Sequence, residues 1–368
     1  MSLTRAPDNI YVVATAERAE HMEEKPLLII DNLTQWLDEQ GIGTGNLQWQ
    51  RLGKNRTHGT YEIQRDDVRF VLRRETTEPL EPGTHNLATE VELLALLTKH
   101  HMRVPQVTRV VDDPEIIGAP FVMMDFVDGA KLVDSIPPNL DSFEERHGMC
   151  RRAVDDLARI HVELDVKEFR KFDLKNADFQ KELLIIRRLG RKSLRNIPGF
   201  EIIYDYLSEK VPKPADFTVV HGDYSLRNLV YSHNAPAHVN TIFGWDRLSL
   251  GDPMMDLAKF TAFYADYLPE TPLETAPITR EDAFLSRREL ANVYQLETRW
   301  DTSLINWYET FYIWKRASEL EQLWTLFQEG ERPKDTKFTL SLRAGIPQML
   351  ANAATISRIK GVDANAGA

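Results

Sequence analysis

A single cysteine, Cys150, in 368 residues excludes an intrachain disulfide. No apolar run approaches the roughly 20 residues needed to span a bilayer, and the first residues lack the basic start and apolar core of a signal peptide. The expectation is a cytoplasmic protein with no membrane partner. A basic cluster is missing as well: with 56 Asp plus Glu against 45 Lys plus Arg, the formal net charge of -11 repels a polyanion, and nucleic acid is not an expected partner. Internal repeats and low-complexity stretches are absent too. What is there, 42% hydrophobic and 27% charged, is the make-up of a globular chain long enough for two or three domains with sizeable cores.

The patterning changes along the chain. Residues 1–26 are polar and aperiodic, after which Ile29, Leu33, Trp36 and Leu37 fall on one helical face that ends before Gly41. This helix is expected to form an N-terminal cap on the first domain. From Leu47 to Arg74 the pattern is that of a β-meander: a strand over 47–52, a polar turn from Gly53 to Gly59, then strands over 60–63 and 68–72. Helical periodicity returns over Leu87 to Leu97 with Glu90 inside it, and strands are expected at 107–111 and 121–126. Beyond Gly129 the chain reads as mostly helical, opened by Ser142 and Glu145 at capping-box spacing ahead of the stripe Met149, Ala153, Leu157 and Ile160. The expected divisions are an N-terminal extension with its capping helix over 1–44, a small sheet-bearing lobe over 45–128 and a larger helical lobe over 129–368. The order of strands and helix in the second of these is that of a kinase small lobe.

The stretch with the most specific chemistry is His221-Gly222-Asp223, followed five residues after the Asp by Asn228. A short apolar run over 217–220 leads into it, 229–231 leads out, Asn234-Ala235-Pro236 turns, and 239–243 returns. These are the residue types and spacing of a kinase catalytic loop, in which the Asp accepts the proton of a substrate hydroxyl and the Asn holds a Mg²⁺ on the nucleotide phosphates. A hairpin of that length is expected to bring position 244 back beside Asn228. A second metal-binding Asp is expected there, and the residue is Gly244. Losing one hard oxygen ligand and one negative charge removes part of a metal's charge stabilisation, and at about 1.4 kcal/mol per tenfold the rate falls by several orders of magnitude.

Five segments carry a resemblance in order: Arg51-Leu52-Gly53 with its loop, Phe70 to Arg74, Asp113 to Met123, His221 to Asn228, and Leu250 to Ala258. Over roughly residues 45 to 330 the chain resembles the aminoglycoside phosphotransferase and choline kinase-like superfamily, and most closely the kinase-like domain that in some proteins is fused to an acyl-CoA dehydrogenase. The resemblance implies a two-lobed, protein kinase-like α+β fold, with a small antiparallel-sheet lobe, a larger mostly helical lobe and the nucleotide between them. It implies ATP and Mg²⁺ as cofactors and a small-molecule hydroxylated acceptor, acyl-type alcohols before aminoglycosides. The loop from Gly53 to Gly59 would cover the phosphates; Arg73, in place of the usual Lys, would pair with phosphates and with Glu90; the backbone of Asp125 and Val127 would meet the purine edge. Asp223 would be the base, Asn228 a metal ligand, and Asp256 a buried carboxylate bracing the catalytic loop through its amides. Where the family runs Asp-Trp-Glu ahead of Gly-Asp-Pro, this chain has Gly244-Trp245-Asp246, with Asp246 or Asp252 as the candidate substitute. Gly244 is also the support for the alternative, a catalytically inactive nucleotide-binding pseudokinase or interaction protein.

Other chemistry-bearing residues have plainer readings. His161 lies on the apolar stripe of its helix and is expected to be a core residue, and His100-His101 has no ligand partner at metal spacing. Trp300, Trp307 and Trp314 recur at sevens with Tyr308, Phe311 and Tyr312 between them. Helical aromatics at that spacing are expected in a core, the alternative being the lining of an acceptor pocket.

Overall fold

The computed structural model describes residues 12–22, 26–52, 58–75, 83–133, 135–172, 174, 178–213, 217–262, 264–266, 268–269, 271, 277–330 and 336–365. The chain divides into two compact units, one comprising Met1–Asp128 with Thr241–Arg247, the other Gly129–Asn240 with Leu248–Ala368. Among the described residues no helix is long and apolar enough to cross a membrane.

The first unit runs β1 (Val12–Val13), α1 (Ala16–Glu20), β2 (Leu28–Ile29), α2 (Ile30–Glu39), β3 (Gln48–Arg51), β4 (His58–Gln64), β5 (Arg69–Glu75), α3 (Leu87–Lys99), β6 (Val107–Val111) and β7 (Phe121–Asp125). Its five-stranded sheet has the order β3-β4-β5-β7-β6, antiparallel throughout. Period-2 alternation puts Tyr61, Ile63, Phe70 and Leu72 into one core. Leu33 and Leu37, one turn apart on α2, join that core together with Trp49 and Phe121. A buried guanidinium anchors α2: Arg65 donates to Asp38 at 2.5 Å, to the carbonyl of Ile42 at 3.0 Å and to that of Gly45 at 3.2 Å. The N-terminal extension is less featureless than its polar composition suggests. Val12 and Val13 pair in parallel with Leu28 and Ile29, and Arg74 donates to the Leu27 carbonyl at 3.0 Å. A two-residue strand is too short to produce a readable period.

The second unit runs α4 (Phe143–Glu163), α5 (Val166–Phe169), α6 (Phe179–Gly190), α7 (Gly199–Glu209), β8 (Thr218–Val220), β9 (Leu229–Tyr231), β10 (Val239–Ile242, by which the chain passes back to the first unit), β11 (Ser249–Gly251), α8 (Met254–Ala262), α9 (Arg287–Thr298), α10 (Ile305–Glu329) and α11 (Thr336–Ser357). The expected stripe on α4 is buried in full. Its N-terminus differs in detail from the capping box: Ser142 accepts from the Glu145 amide at 3.1 Å, but the Glu145 carboxylate turns to the Ala237 amide at 2.8 Å instead of back to Ser142. The reciprocal box is at α9, where Ser286 and Glu289 cap one another. Of the α10 aromatics, Trp307, Tyr308, Phe311, Trp314 and Phe327 are core, while Tyr312 and Trp324 are half-buried. Trp307 stacks on Phe311 with centroids 5.3 Å apart, and the indole N–H groups of Trp307 and Trp314 donate into α7, to the carbonyls of Leu207 at 3.2 Å and Phe200 at 3.0 Å. Satisfying the one polar atom of each ring is what permits full burial.

Candidate functional site

In the second unit, β8 pairs with β11 in antiparallel register, Val220 opposite Ser249, and delivers the chain to the His221-Gly222-Asp223 turn. Gly222 has φ +77°, a left-handed conformation that a side chain resists and glycine does not. Asp256, in the first turn of α8, braces this turn. Its Oδ2 accepts from the His221 amide at 2.5 Å and its Oδ1 from the Gly222 amide at 2.8 Å, the arrangement that the resemblance implies for it. His161 on α4 lies with Nε2 3.2 Å from the same carboxylate and Nδ1 2.6 Å from the Tyr294 hydroxyl. It is a satisfied core residue, as its place on the stripe suggests. Burial works against charge on Asp256, but His161, His221 and the Gly222 amide outweigh it and hold the carboxyl below its ordinary range.

Asp223 comes next in the chain. Its own amide donates to His221 Nδ1 at 3.0 Å, which fixes the backbone, and its carboxylate has two named partners. Asn228 Nδ2 donates to Oδ2 and to the Asp223 carbonyl, both at 2.8 Å. With the amide nitrogen engaged in this way, the amide oxygen is what Asn228 can offer to a cation. On the other side, Lys259 Nζ contacts Asp223 Oδ1 directly and lies 3.3 Å from the Gly222 carbonyl. Burial penalises the Asp223 carboxylate, while Lys259, His221 and Asn228 together more than compensate, so the group lies below its ordinary value and stays ionised at neutral pH. A fixed, ionised carboxylate with an amide beside it can accept a proton from a hydroxyl.

The first unit gathers a different charge cluster. Thr60 on β4 is in register with Arg73 on β5, and the guanidinium is held on three sides: Nε by Glu90 of α3 at 3.0 Å, Nη1 by the Thr60 hydroxyl at 3.0 Å, and Nη2 by Asp246 at 3.3 Å. His58 Nδ1 lies 3.6 Å from Asp246. Two carboxylates thus share one buried guanidinium. Burial works against the charge of Arg73, but both acids outweigh it and keep Arg73 protonated, whereas at Glu90 burial dominates and pushes the carboxyl up. Burial, with Arg73 next to it, lowers His58 to about 4 against the pull of Asp246, so the imidazole is neutral at physiological pH. The segment carrying Asp246 is tightly held. Its carbonyl accepts from the His85 amide at 2.7 Å, and the buried Trp245 indole donates to Ile242 at 2.7 Å. Gly244 has φ +87°.

Of the remaining sequence candidates, Gly53 lies outside the described residues. Asp125 ends β7 with its amide donating to the Gln106 carbonyl at 3.0 Å, so the N–H is taken up and only its carbonyl can face a base edge. Val127 lies two residues further on, half-buried. Beside it Arg69 stacks 3.5 Å from the centroid of Phe126 while pairing with Glu62 at 2.7 Å.

Neither unit by itself presents, in its described residues, a side-chain donor set for a metal. In the second, Asn228 offers one neutral oxygen; in the first, Gly244 offers none and Asp246 is engaged by Arg73. Among the described residues no group of three or more His, Cys, Asp or Glu is placed to hold an ion.

Lys259 and His58 are among the residues of these clusters that the sequence did not single out. Lys259 is three residues beyond Asp256 on α8, a spacing that puts both on one helix face, but a lysine in a helix carries no signal of its own. His58 closes the polar turn and shows its importance only through burial.

Residues 48–290 match the model of the phosphotransferase enzyme family, and the chain belongs to that family. Its fold is the two-lobed kinase-like α+β fold. It is 28% identical over 230 residues to mouse acyl-CoA dehydrogenase family member 10, covering 62% of this chain and 21% of that protein. Against the human family member 11 the match is 24% over 310 residues, 82% of this chain and 38% of that protein, so the chain spans about a fifth to two fifths of the length of these relatives. Among solved structures, a Ralstonia eutropha protein assigned as an aminoglycoside phosphotransferase superposes with a TM-score of 0.71 at 20% identity, covering 91% of this chain and all of that one. A spectinomycin phosphotransferase in complex with ADP and spectinomycin gives 0.60 at 9% identity, with 88% and 98% covered.

Proposed function

We propose that this protein transfers the terminal phosphoryl group of ATP to a hydroxyl of a small molecule. The observation that carries the reading is the Asp223 carboxylate, ionised and held between Asn228 and Lys259 on a turn braced by Asp256. Asp223 accepts the acceptor's hydroxyl proton as the new oxygen–phosphorus bond forms and the bond from the γ-phosphorus to the bridging oxygen breaks, releasing ADP. In the first unit Arg73, oriented by Glu90, is the cation facing the phosphates. The carbonyl of Asp125 and the backbone of Val127 meet the purine. The chain's own described side chains are too few to hold Mg²⁺ unaided; an ion brought by the nucleotide would find the Asn228 amide oxygen and would supply charge neutralisation. The ADP bound by one structural neighbour supports nucleotide use, and by analogy with the acyl-CoA dehydrogenase names of the relatives the acceptors are acyl-type alcohols before aminoglycosides.

A second reading has its own observation. Gly244 brings no carboxylate and Asp246 is committed to Arg73, so the same architecture suits a nucleotide-binding protein without turnover. Thermal-shift titration with ATP, with and without Mg²⁺, tests binding. ATP hydrolysis by Gly244→Asp, alone and with Asp223→Ala, tests chemistry. The transfer reading expects hydrolysis to rise at least tenfold in Gly244→Asp and to vanish when Asp223 is removed. If Gly244→Asp gains nothing and Asp223→Ala changes nothing in either background, the enzyme reading fails.

A further inference from the structure

Beyond its contact with the base, Lys259 has no part in the phosphoryl transfer proposed for this site. It belongs to α8, the same helix that holds the backbone of the turn through Asp256, and one helical turn further on it reaches the turn's side chain. Its ammonium meets Asp223 Oδ1, lies 3.3 Å from the Gly222 carbonyl and sits 5.4 Å from the centroid of the Tyr312 ring. The side chain is only 15% exposed, against 33% for Asp223. A lysine that merely packs along a helix carries its ammonium out to water; this one is turned inward to a carboxylate, a carbonyl and a ring face. The terminal phosphate of a nucleotide is itself anionic. Beside a bare carboxylate in a partly dehydrated site it is strongly repelled, and beside a carboxylate already paired with an ammonium it is not.

We propose that Lys259 is a positioning residue for the transferred group: its ammonium aims and neutralises the Asp223 carboxylate, and so admits the anionic terminal phosphoryl group next to it. The inference rests on the reading of Asp223 as the base of a phosphoryl transfer. Its distinctive consequence is selective, because the γ-phosphoryl group is present in ATP and absent from ADP. Calorimetric titration of the full chain with each nucleotide tests it on wild type, Lys259→Met, Lys259→Arg, Asp223→Asn and the double variant Asp223→Asn with Lys259→Met. Lys259→Met is expected to weaken ATP at least tenfold while leaving ADP within twofold, Lys259→Arg to stay near wild type, and the double variant to recover the ATP affinity of Asp223→Asn. A lysine that only supports the fold would lower both affinities together, and removing Asp223 would bring no relief. Unchanged ATP affinity in Lys259→Met, equal losses for ATP and ADP, or a double variant as weak as Lys259→Met would overturn this role and leave the proposed function standing. Failure of the wild type to bind ATP at all would overturn both.

Discussion

Truncating Asp256 to Ala isolates the element on which the geometry of the turn depends. One buried carboxylate accepts from two backbone amides, at 2.5 and 2.8 Å, and lies 3.2 Å from His161. Without it, the His221 amide and a His161 nitrogen lose their partner in the buried interior, and the Gly222 amide loses its own at a half-buried position. Each orphaned group costs about 1–3 kcal/mol, and breaking a buried charged network typically costs about 3–5 kcal/mol in all. At about 2–4 °C per kcal/mol for a unit of roughly 150–250 residues, the second unit should melt about 6–20 °C lower in Asp256→Ala. Asp256→Asn keeps a single acceptor oxygen and presents an amide to donors, so it should recover only part of the loss. The pH dependence has a definite sign. A carboxyl whose folded pKa is depressed contributes stability above its unfolded value of about 3.9, and that contribution is lost as pH falls through the folded pKa. The gap between wild type and Asp256→Ala should therefore be full near neutrality and close only below about pH 4. Differential scanning calorimetry between pH 3 and pH 8 measures both. An Asp256→Ala protein that melts within about 2 °C of wild type at neutral pH would refute the bracing role.

The first-unit cluster makes two further predictions. Arg73→Met leaves Glu90 and Asp246 buried without their shared cation and should destabilise by about 3–5 kcal/mol. Adding Glu90→Gln and Asp246→Asn should restore most of it in chemical denaturation, whereas a triple variant no more stable than Arg73→Met would show that the cation is not what holds the cluster. His58, lowered to about 4 by burial, binds its proton later in the folded than in the unfolded chain. Wild-type stability should therefore fall as pH drops from about 6.5 to about 4, by a few kcal/mol at most at about 1.4 kcal/mol per pKa unit. His58→Gln should flatten that slope in urea titrations, and an unchanged slope would place the proton elsewhere.

The His221 to Asn228 turn was legible in the sequence because its parts are close together: a strand, a glycine in a left-handed conformation, and a carboxylate and amide five residues apart. Side chains on so short a segment meet wherever it is placed. The Arg73–Glu90 pair was implied by the family resemblance rather than by spacing, and period-2 alternation of consecutive strands gave the β3-β4-β5 meander but not the pairing of β5 with β7 that leaves β6 at the edge. The Ser142–Glu145 spacing permitted a capping box, but Glu145 was drawn away by an amide 92 residues later. That competition has no trace in local sequence.

The sequence by itself determined the run of strands and helix from β3 to β7 and the catalytic-type turn, because each is a matter of residue type and short-range spacing; the carboxylate missing at 244 was implied by the family resemblance. Only the tertiary structure decided that α8 turns Lys259 toward Asp223. It also decided that the returning segment 241–247 puts Asp246 against Arg73 and His58. Both are contacts between elements distant in the chain. Burial, which weakens the competition from water, is what gives those contacts their strength, and burial belongs to the assembled fold.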